Sequence, residues 1–159
     1  MKADIYKDIF IPDGGALLDI RIFDVTPDDW QRLLDYLASH YAVTYEENGV
    51  PKPLPKFDVV LEKLKTTNVS LKITLPGLTV NCHLFDANQV EMDVLPEDVD
   101  SASKAESVFE LMTAIARLLN KEVLLTPEFA SADPEKLRSL ALCSIDPKTG
   151  DIKCYPQHQ

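Results

Sequence analysis

The residues best suited to bind a soft metal are Cys82, His83, Cys143 and Cys154. Zinc sites usually use short spacings such as Cys-x-x-Cys or His-x-x-x-His, and the sequence has neither. Cys82 and His83 are adjacent in a predicted strand, so their side chains should point to opposite faces. A lone histidine on a strand is more often a surface residue than a general base. We therefore expect no metal site and no bound cofactor.

Catalytic motifs are missing from the other polar residues, since the sequence has no Gly-x-Ser-x-Gly and no glycine-rich phosphate loop. Glu91 and Asp93 share one face of a predicted strand, with Asp86 nearby, and such carboxylates can hold Mg²⁺. Asp151 and Lys153 form an acid-x-Lys pair similar to that of metal-dependent nucleases, but pairs this short often arise by chance. We expect a non-catalytic protein. A small enzyme without a recognisable motif is an alternative.

Charge is distributed unevenly along the chain, which carries 26 acidic and 16 basic residues for a net charge of −10. Residues 86–110 alone hold eight acidic residues and one basic residue. Such a surface repels phosphate backbones and anionic lipids, so we expect neither a nucleic-acid nor a membrane partner. A basic protein would be steered toward it. The predicted contact patch is Glu91, Asp93, Glu97, Asp98 and Asp100.

The same block of acidic residues has a simpler interpretation. Asp98, Asp100 and Glu106 surround the start of a predicted helix, where negative charge complements the helix dipole. This interpretation and the contact patch are compatible, and the sequence leaves both open.

The length of 159 residues predicts a single domain over 1–159, with 156–159 as a loose tail. We find no apolar run long enough to span a membrane, and the first ten residues lack the apolar core of a signal peptide. Three cysteines are an odd number and do not form a disulfide scaffold. We therefore expect a cytoplasmic protein with free thiols.

Periodicity predicts the elements of the first half. Apolar runs at 5–11 and 18–22, separated by Asp13-Gly14-Gly15, predict a hairpin. Thr26-Pro27-Asp28-Asp29 is a strong start for a helix that should end near His40. The next segments are interpreted as a strand at 42–46, a proline-containing loop or short extended segment at 48–56 and a short helix at 57–64.

The second half begins with three alternating runs at 69–75, 78–84 and 90–94, which predict an antiparallel meander with one buried and one polar face. Ser103 and Glu106 match a capping box, which predicts a helix over 103–119 that covers the meander. A strand at 123–126, a helix at 133–140 and a hairpin of 142–145 with 152–155 follow. If Ile145 faces Ile152 in that hairpin, Cys143 must face Cys154, and a modest adjustment could link the two under oxidation.

Together these elements predict an α+β fold, in which two principal amphipathic helices pack on a mainly antiparallel sheet. The helix that contains Trp30 could share the face covered by the 103–119 helix or cover another edge. The strand order does not follow from these patterns.

Residues 68–155 combine an antiparallel sheet, a long helix, the segment Asn120 to Glu128 and a hairpin with Asp146-Pro147-Lys148-Thr149-Gly150. This arrangement resembles small acidic bacterial immunity proteins that neutralise polymorphic or contact-delivered toxins. The resemblance implies an inhibitor that occludes a cationic toxin, and it leaves the first 50 residues unaccounted for. An accessory or assembly module, such as an effector chaperone or a complex subunit, is an alternative. One version of it is a homodimer through an edge strand or the Trp30 helix.

Overall fold

The computed structural model describes residues 5–84, 86–128 and 133–155. The α-helices in these ranges are α1 (Tyr6–Ile9), α2 (Pro27–His40), α3 (Phe57–Lys63), α4 (Ala102–Leu119) and α5 (Pro134–Leu140), and a short 3-10 helix spans Pro96–Asp98. The strands are β1 (Leu18–Ile22), β2 (Ala42–Glu47), β3 (Val50–Lys52), β4 (Val69–Leu75), β5 (Leu78–His83), β6 (Val90–Val94), β7 (Val123–Pro127), β8 (Cys143–Ile145) and β9 (Ile152–Cys154). The predicted loose tail at 156–159 lies outside the described residues.

The strands of these ranges form one sheet in the order β3-β2-β4-β5-β6-β1-β7-β8-β9. Every neighbouring pair is antiparallel. The predicted α+β fold and the 69–94 meander are therefore confirmed. The first strand in the chain, β1, lies between β6 and β7, which begin at residues 90 and 123, far from it in the sequence.

Helix α2 begins where the sequence predicts. The Asp29 N–H donates to Thr26 Oγ1 at 3.1 Å, and the Thr26 N–H donates to the Asp29 carboxylate at 3.0 Å. The helix buries Trp30, whose ring stacks on Phe57 with centroids 5.0 Å apart. The Trp30 indole donates to the Asp86 carbonyl at 3.0 Å, which satisfies its only polar atom.

Helix α4 lies beside α2 on the same face of the sheet, and its closest strands are β7 and β8. Helix α2 therefore shares the covered face of the sheet with α4, which is one of the two positions predicted for the helix that contains Trp30. Helix α4 begins at Ala102, one residue earlier than predicted. Its capping residue is two residues earlier, because Ser101 and not Ser103 accepts the capping bond, from the Lys104 N–H at 3.2 Å. Asn120, with φ of 53°, ends the helix in the left-handed conformation.

The hairpin predicted around Asp13-Gly14-Gly15 is wrong. Its first run forms the short helix α1, because Ile5 and Ile9 are spaced for one helical face as well as for one strand face. Ile9 and the following Phe10 are buried, and the Phe10 ring meets Phe109 of α4 edge to face at 5.8 Å. The N-terminal segment therefore belongs to the core.

Part of the segment at 48–56, predicted as a loop or a short extended segment, is extended, because it includes the edge strand β3. Asn48 and Gly49 both have positive φ, 50° and 80°, as a two-residue hairpin turn requires. Pro51 lies opposite Glu46 of β2. Proline is tolerated here because β3 is the outermost strand of the sheet that the described residues form.

The C-terminal hairpin is confirmed in detail. Ile145 pairs with Ile152 and Cys143 pairs with Cys154, as the predicted register requires. All three cysteines are free thiols in the structure. None of the helices within the described ranges is both long and apolar enough to cross a bilayer.

Candidate functional site

A row of polar side chains crosses four central strands on the face of the sheet that α2 and α4 leave uncovered. The strand register places Asn81 of β5, Asp93 of β6, Asp19 of β1 and Thr126 of β7 side by side. Their strand neighbours alternate with them and belong to the main core. His83, Glu91 and Arg21 lie side by side in the next row of the same face. We call all seven residues together the polar row.

Two charged residues anchor the polar row. Asp93 is 4% exposed, accepts a hydrogen bond from Asn81 Nδ2 at 3.0 Å and contacts His83 Nε2. Arg21 donates to Gln89 Oε1 at 2.7 Å and lies 3.6 Å from the Glu91 carboxylate. The contact with Asp93 raises the pKa of His83 more than burial lowers it.

Asp19 is the most perturbed carboxyl group of the row. Burial raises its pKa to about 7, and the nearby charges of Glu91, Asp93 and Glu128 add to the effect. Arg21 opposes the rise but does not overcome it. Asp19 therefore exchanges its proton near neutral pH, which is unusual for a carboxyl group.

Two buried polar atoms of the row have no hydrogen-bond partner among the described residues. They are Arg21 Nε and Thr126 Oγ1. Both residues are more than nine-tenths buried. Because most buried polar atoms are paired, these two atoms mark a place where the packing is not optimised for stability alone.

Helix α5 explains part of this burial. Leu124 of β7 faces away from α4 and packs with Leu137 of α5 and with Ala141, which follows that helix, together with Phe23. The Arg21 guanidinium lies over the Phe23 ring, 5.4 Å from its centroid. The sheet is therefore covered on both faces around β1 and β7, whereas Lys72 and Thr79 on β4 and β5 stay exposed.

A second candidate surface lies at the end of the sheet, where the N-terminal segment meets the connection after β6. It contains two adjoining depressions that share Pro12 and Pro96, with volumes of about 380 and 300 Å³. Asp13 and Glu128 line the first, and Glu97 and Asp100 line the second. We call this surface the acidic end. Among the described residues, Lys7 is the one basic residue that lines it.

Two carboxylates of the acidic end already have partners. Glu128 accepts a hydrogen bond from the Leu17 N–H at 2.8 Å, which fixes its side chain at the mouth of the first depression. Lys104 lies 2.9 Å from Asp100, and its hydrogen bond lowers the pKa of that carboxyl group. Asp13 and Glu97 have no ion-pair partner among the described residues.

The structure divides the predicted contact patch. Glu97, Asp98 and Asp100 are exposed on the connection after β6, as predicted. Glu91 and Asp93 belong to the polar row instead, and Asp93 is too deeply buried to meet a partner. The alternation of polar and apolar residues in β6 correctly predicts which face of the sheet Glu91 and Asp93 occupy. It does not predict that α5 and Phe23 cover that face near β1.

Sequence reasoning missed Asp19, Arg21 and Thr126 in the polar row, and Asp13 and Glu128 at the acidic end. The alternation of Asp19 and Arg21 with Leu18, Ile20 and Ile22 was a usable signal, because it places two opposite charges on one strand face. Their burial depends on a neighbouring strand more than 100 residues later, so no local pattern could predict it.

The metal-binding side chains do not converge in the described residues, where no three His, Cys, Asp or Glu side chains are arranged to hold an ion. Cys82 faces the main core, and burial raises the pKa of its thiol to about 12. His83 faces the polar row on the other side of the same strand. The two residues therefore point apart, as predicted.

No protein-family model matches this chain, and no curated protein or solved structure matches it either. The chemistry of the polar row and the acidic end is therefore inferred from this chain's own residues.

Proposed function

We propose that this chain is a non-catalytic inhibitor of the immunity type, which binds a basic protein partner at the acidic end and occludes it. One observation carries the proposal: within the part of the chain that the structure describes, four carboxylates and a single lysine line two adjoining depressions. A toxin that acts on anionic substrates is a partner of suitable charge.

The depressions suit a lysine or arginine side chain of the partner. Such a side chain has an aliphatic stem and a cationic head, and it binds best where apolar walls end at a carboxylate. The apolar walls are Ile9, Ile11, Pro12, Ala16, Leu17, Leu18, Pro96, Pro127 and Leu142 in the first depression. The fixed Glu128 carboxylate and Asp13 would receive the head group.

The test starts with affinity capture of the bound partner from native lysate at low salt, followed by its purification. Asp13→Asn, Glu97→Gln and Glu128→Gln, combined, should weaken the partner's affinity at least tenfold and flatten its salt dependence. The matched control is Asp28→Asn, Asp35→Asn and Glu62→Gln, which makes the same charge change at exposed residues of α2 and α3. Equal affinities for the two triple variants would reject the acidic end as the binding surface.

Toxicity separates an immunity protein from an accessory module. Expression of the captured partner alone should arrest growth, and co-expression of this chain should restore it. If the acidic-end triple variant fails to restore growth and the control triple variant restores it, the result supports an inhibitor that acts through the acidic end. A partner that is harmless when expressed alone would instead favour an effector chaperone or a complex subunit.

A small enzyme is a second candidate, favoured by the contact between His83 Nε2 and the buried Asp93 carboxylate. A carboxylate that orients an imidazole is a common part of general-base catalysis. Chromogenic ester, phosphoester and glycoside substrates test it, with His40→Ala as a control because His40 stacks on Tyr36 at a helix end. Turnover by the wild type and by His40→Ala, but not by His83→Ala, would support an enzyme. No turnover by the wild type, or equal turnover by all three proteins, would reject this site.

A further inference from the structure

The hairpin of β8 and β9 brings two thiols together at one edge of the sheet. Cys143 of β8 pairs directly with Cys154 of β9. Both side chains face the main core, where Cys143 is fully buried and Cys154 is partly buried. Since β9 is the last strand of the sheet, Cys154 lies at its margin and Cys143 lies behind it.

The backbone hydrogen bonds identify the kind of pair that the two cysteines form. The Asp146 N–H donates to the Asp151 carbonyl at 3.0 Å, and the Tyr155 N–H donates to the Leu142 carbonyl at 2.6 Å. Hydrogen-bonded positions alternate along an antiparallel pair, so the pair between Cys143 and Cys154 is a non-hydrogen-bonded one.

That position favours a disulfide. In a non-hydrogen-bonded pair the Cα atoms are about 4.5 Å apart and the side chains are close. Disulfides span Cα separations of about 4.4–6.8 Å, so the bond requires little movement of the backbone. The third cysteine differs, because Cys82 pairs with Leu71 and Met92 and has no thiol opposite it.

The two thiols also differ in reactivity. The hydrogen bond from the Cys143 thiol lowers the pKa of Cys154, and the same interaction, together with burial, raises the pKa of Cys143. The thiolate is the nucleophile in disulfide exchange. The more exposed cysteine is therefore also the one that ionises more easily.

We propose that Cys143 and Cys154 form a reversible cross-strand disulfide by exchange with a small-molecule disulfide, with Cys154 as the attacking thiol and Cys143 as the resolving thiol. The Cys154 thiolate attacks the small disulfide, forms a mixed disulfide and releases one small thiolate. Cys143 then loses its proton and attacks Cys154 Sγ, which releases the second small thiolate. Two protein thiols are oxidised and one small disulfide is reduced to two thiols.

The new bond would fix the outer strand of the hairpin to the sheet. Ile152 of β9 lies against α4, where it lines a groove with Phe109 and Arg117. Arg117 also donates to the Thr149 carbonyl in the turn at 3.2 Å. Oxidation would therefore hold one wall of this groove in place, and reduction would release it.

The experiment incubates the folded protein with glutathione and glutathione disulfide at a series of ratios, quenches it with acid and measures intact mass. The wild type should lose two hydrogen atoms per chain, return to the original mass when dithiothreitol is added, and retain little glutathione. Cys143→Ala should accumulate a glutathione adduct at Cys154, at least tenfold above the wild type. Cys154→Ala should accumulate neither product.

The control is Cys82→Ser, which should behave like the wild type. The oxidised wild type should melt about 6–11 °C above the reduced protein, because the bond closes a short loop. A glutathione adduct that persists in the wild type, or a disulfide that disappears in Cys82→Ser, would overturn the proposal. So would an oxidised melting temperature equal to or below the reduced one.

Discussion

Glu47 and Asp19 are both carboxylates on the sheet, and they are 6% and 7% exposed. Glu47 accepts a hydrogen bond from the Tyr45 hydroxyl at 2.8 Å and pairs with Lys63 at 3.1 Å and Lys52 at 3.2 Å. Burial alone raises the pKa of Glu47, but these three partners outweigh it and hold the pKa at about 2. Asp19 has three acidic neighbours and one arginine, and its pKa is about 7.

The comparison shows that burial does not determine the charge state of a carboxyl group in this protein. The charge state depends on how many hydrogen-bond donors and cations contact the carboxyl group, because each of them favours the ionised form. Glu47 is a satisfied structural group that joins β2, β3 and α3. Asp19 is retained at a cost in stability, which is more typical of a functional group than of a packing residue.

The largest effect should appear when the charge of Asp19 is removed. Its pKa is raised in the folded state, so its contribution to stability is complete below about pH 4 and is lost as the pH rises toward 7. The free energy of unfolding should fall by about 2–3 kcal/mol between pH 5 and pH 8. Asp19→Asn should remove most of this decline in urea unfolding at each pH.

Asp35→Asn is the control for this prediction, because Asp35 is exposed on α2. The decline should persist in it. A decline of equal size in Asp19→Asn would assign the effect to another group of the polar row, such as His83, whose raised pKa acts in the same direction.

A smaller effect is expected at Glu47 when one donor is removed. Tyr45→Phe deletes the hydroxyl that binds the Glu47 carboxylate, and a hydrogen bond to a charged group contributes about 1.5–2 kcal/mol. The free energy of unfolding at pH 7 should fall by that amount. Tyr41→Phe is the matched control, since no described residue accepts a hydrogen bond from its hydroxyl. Equal losses in both variants would mean that Glu47 is held by its lysines alone.

The smallest effect on stability is expected at His83, whose side chain is 32% exposed and partly screened by solvent. Its contact with Asp93 should instead appear in a pH titration of the imidazole by NMR. His83 should titrate above the usual histidine range, and Asp93→Asn should lower its pKa. An unchanged His83 titration would show that this contact does not hold the ring in solution.

Local patterns predicted most elements of this fold. Thr26 and Pro27 placed α2 correctly, and strict alternation over 69–94 placed the meander. The register of Cys143 with Cys154 followed from the turn between them, because a short hairpin leaves little freedom. Each of these predictions depends on residues close together in sequence.

Features that depend on distant contacts were missed. The position of β1 between β6 and β7 pairs Asp19 with Asp93 and Thr126, and no local pattern contains that information. The strand face of Asp93 was predicted correctly, whereas its burial was not. At the acidic end, Glu97 was predicted, but Asp13 and Glu128 were not, because separate segments bring them to the same surface.

The edges of the sheet affect how copies of this chain meet at high concentration. Both edge strands have only three residues, and Pro51 removes one N–H from β3. Short edges with a proline recruit additional strands poorly, so they give a poor template for fibril growth or strand exchange. A homodimer through an edge strand is therefore disfavoured. The folded chain should resist fibril formation, and thioflavin T fluorescence during prolonged agitation of a concentrated sample would measure this property.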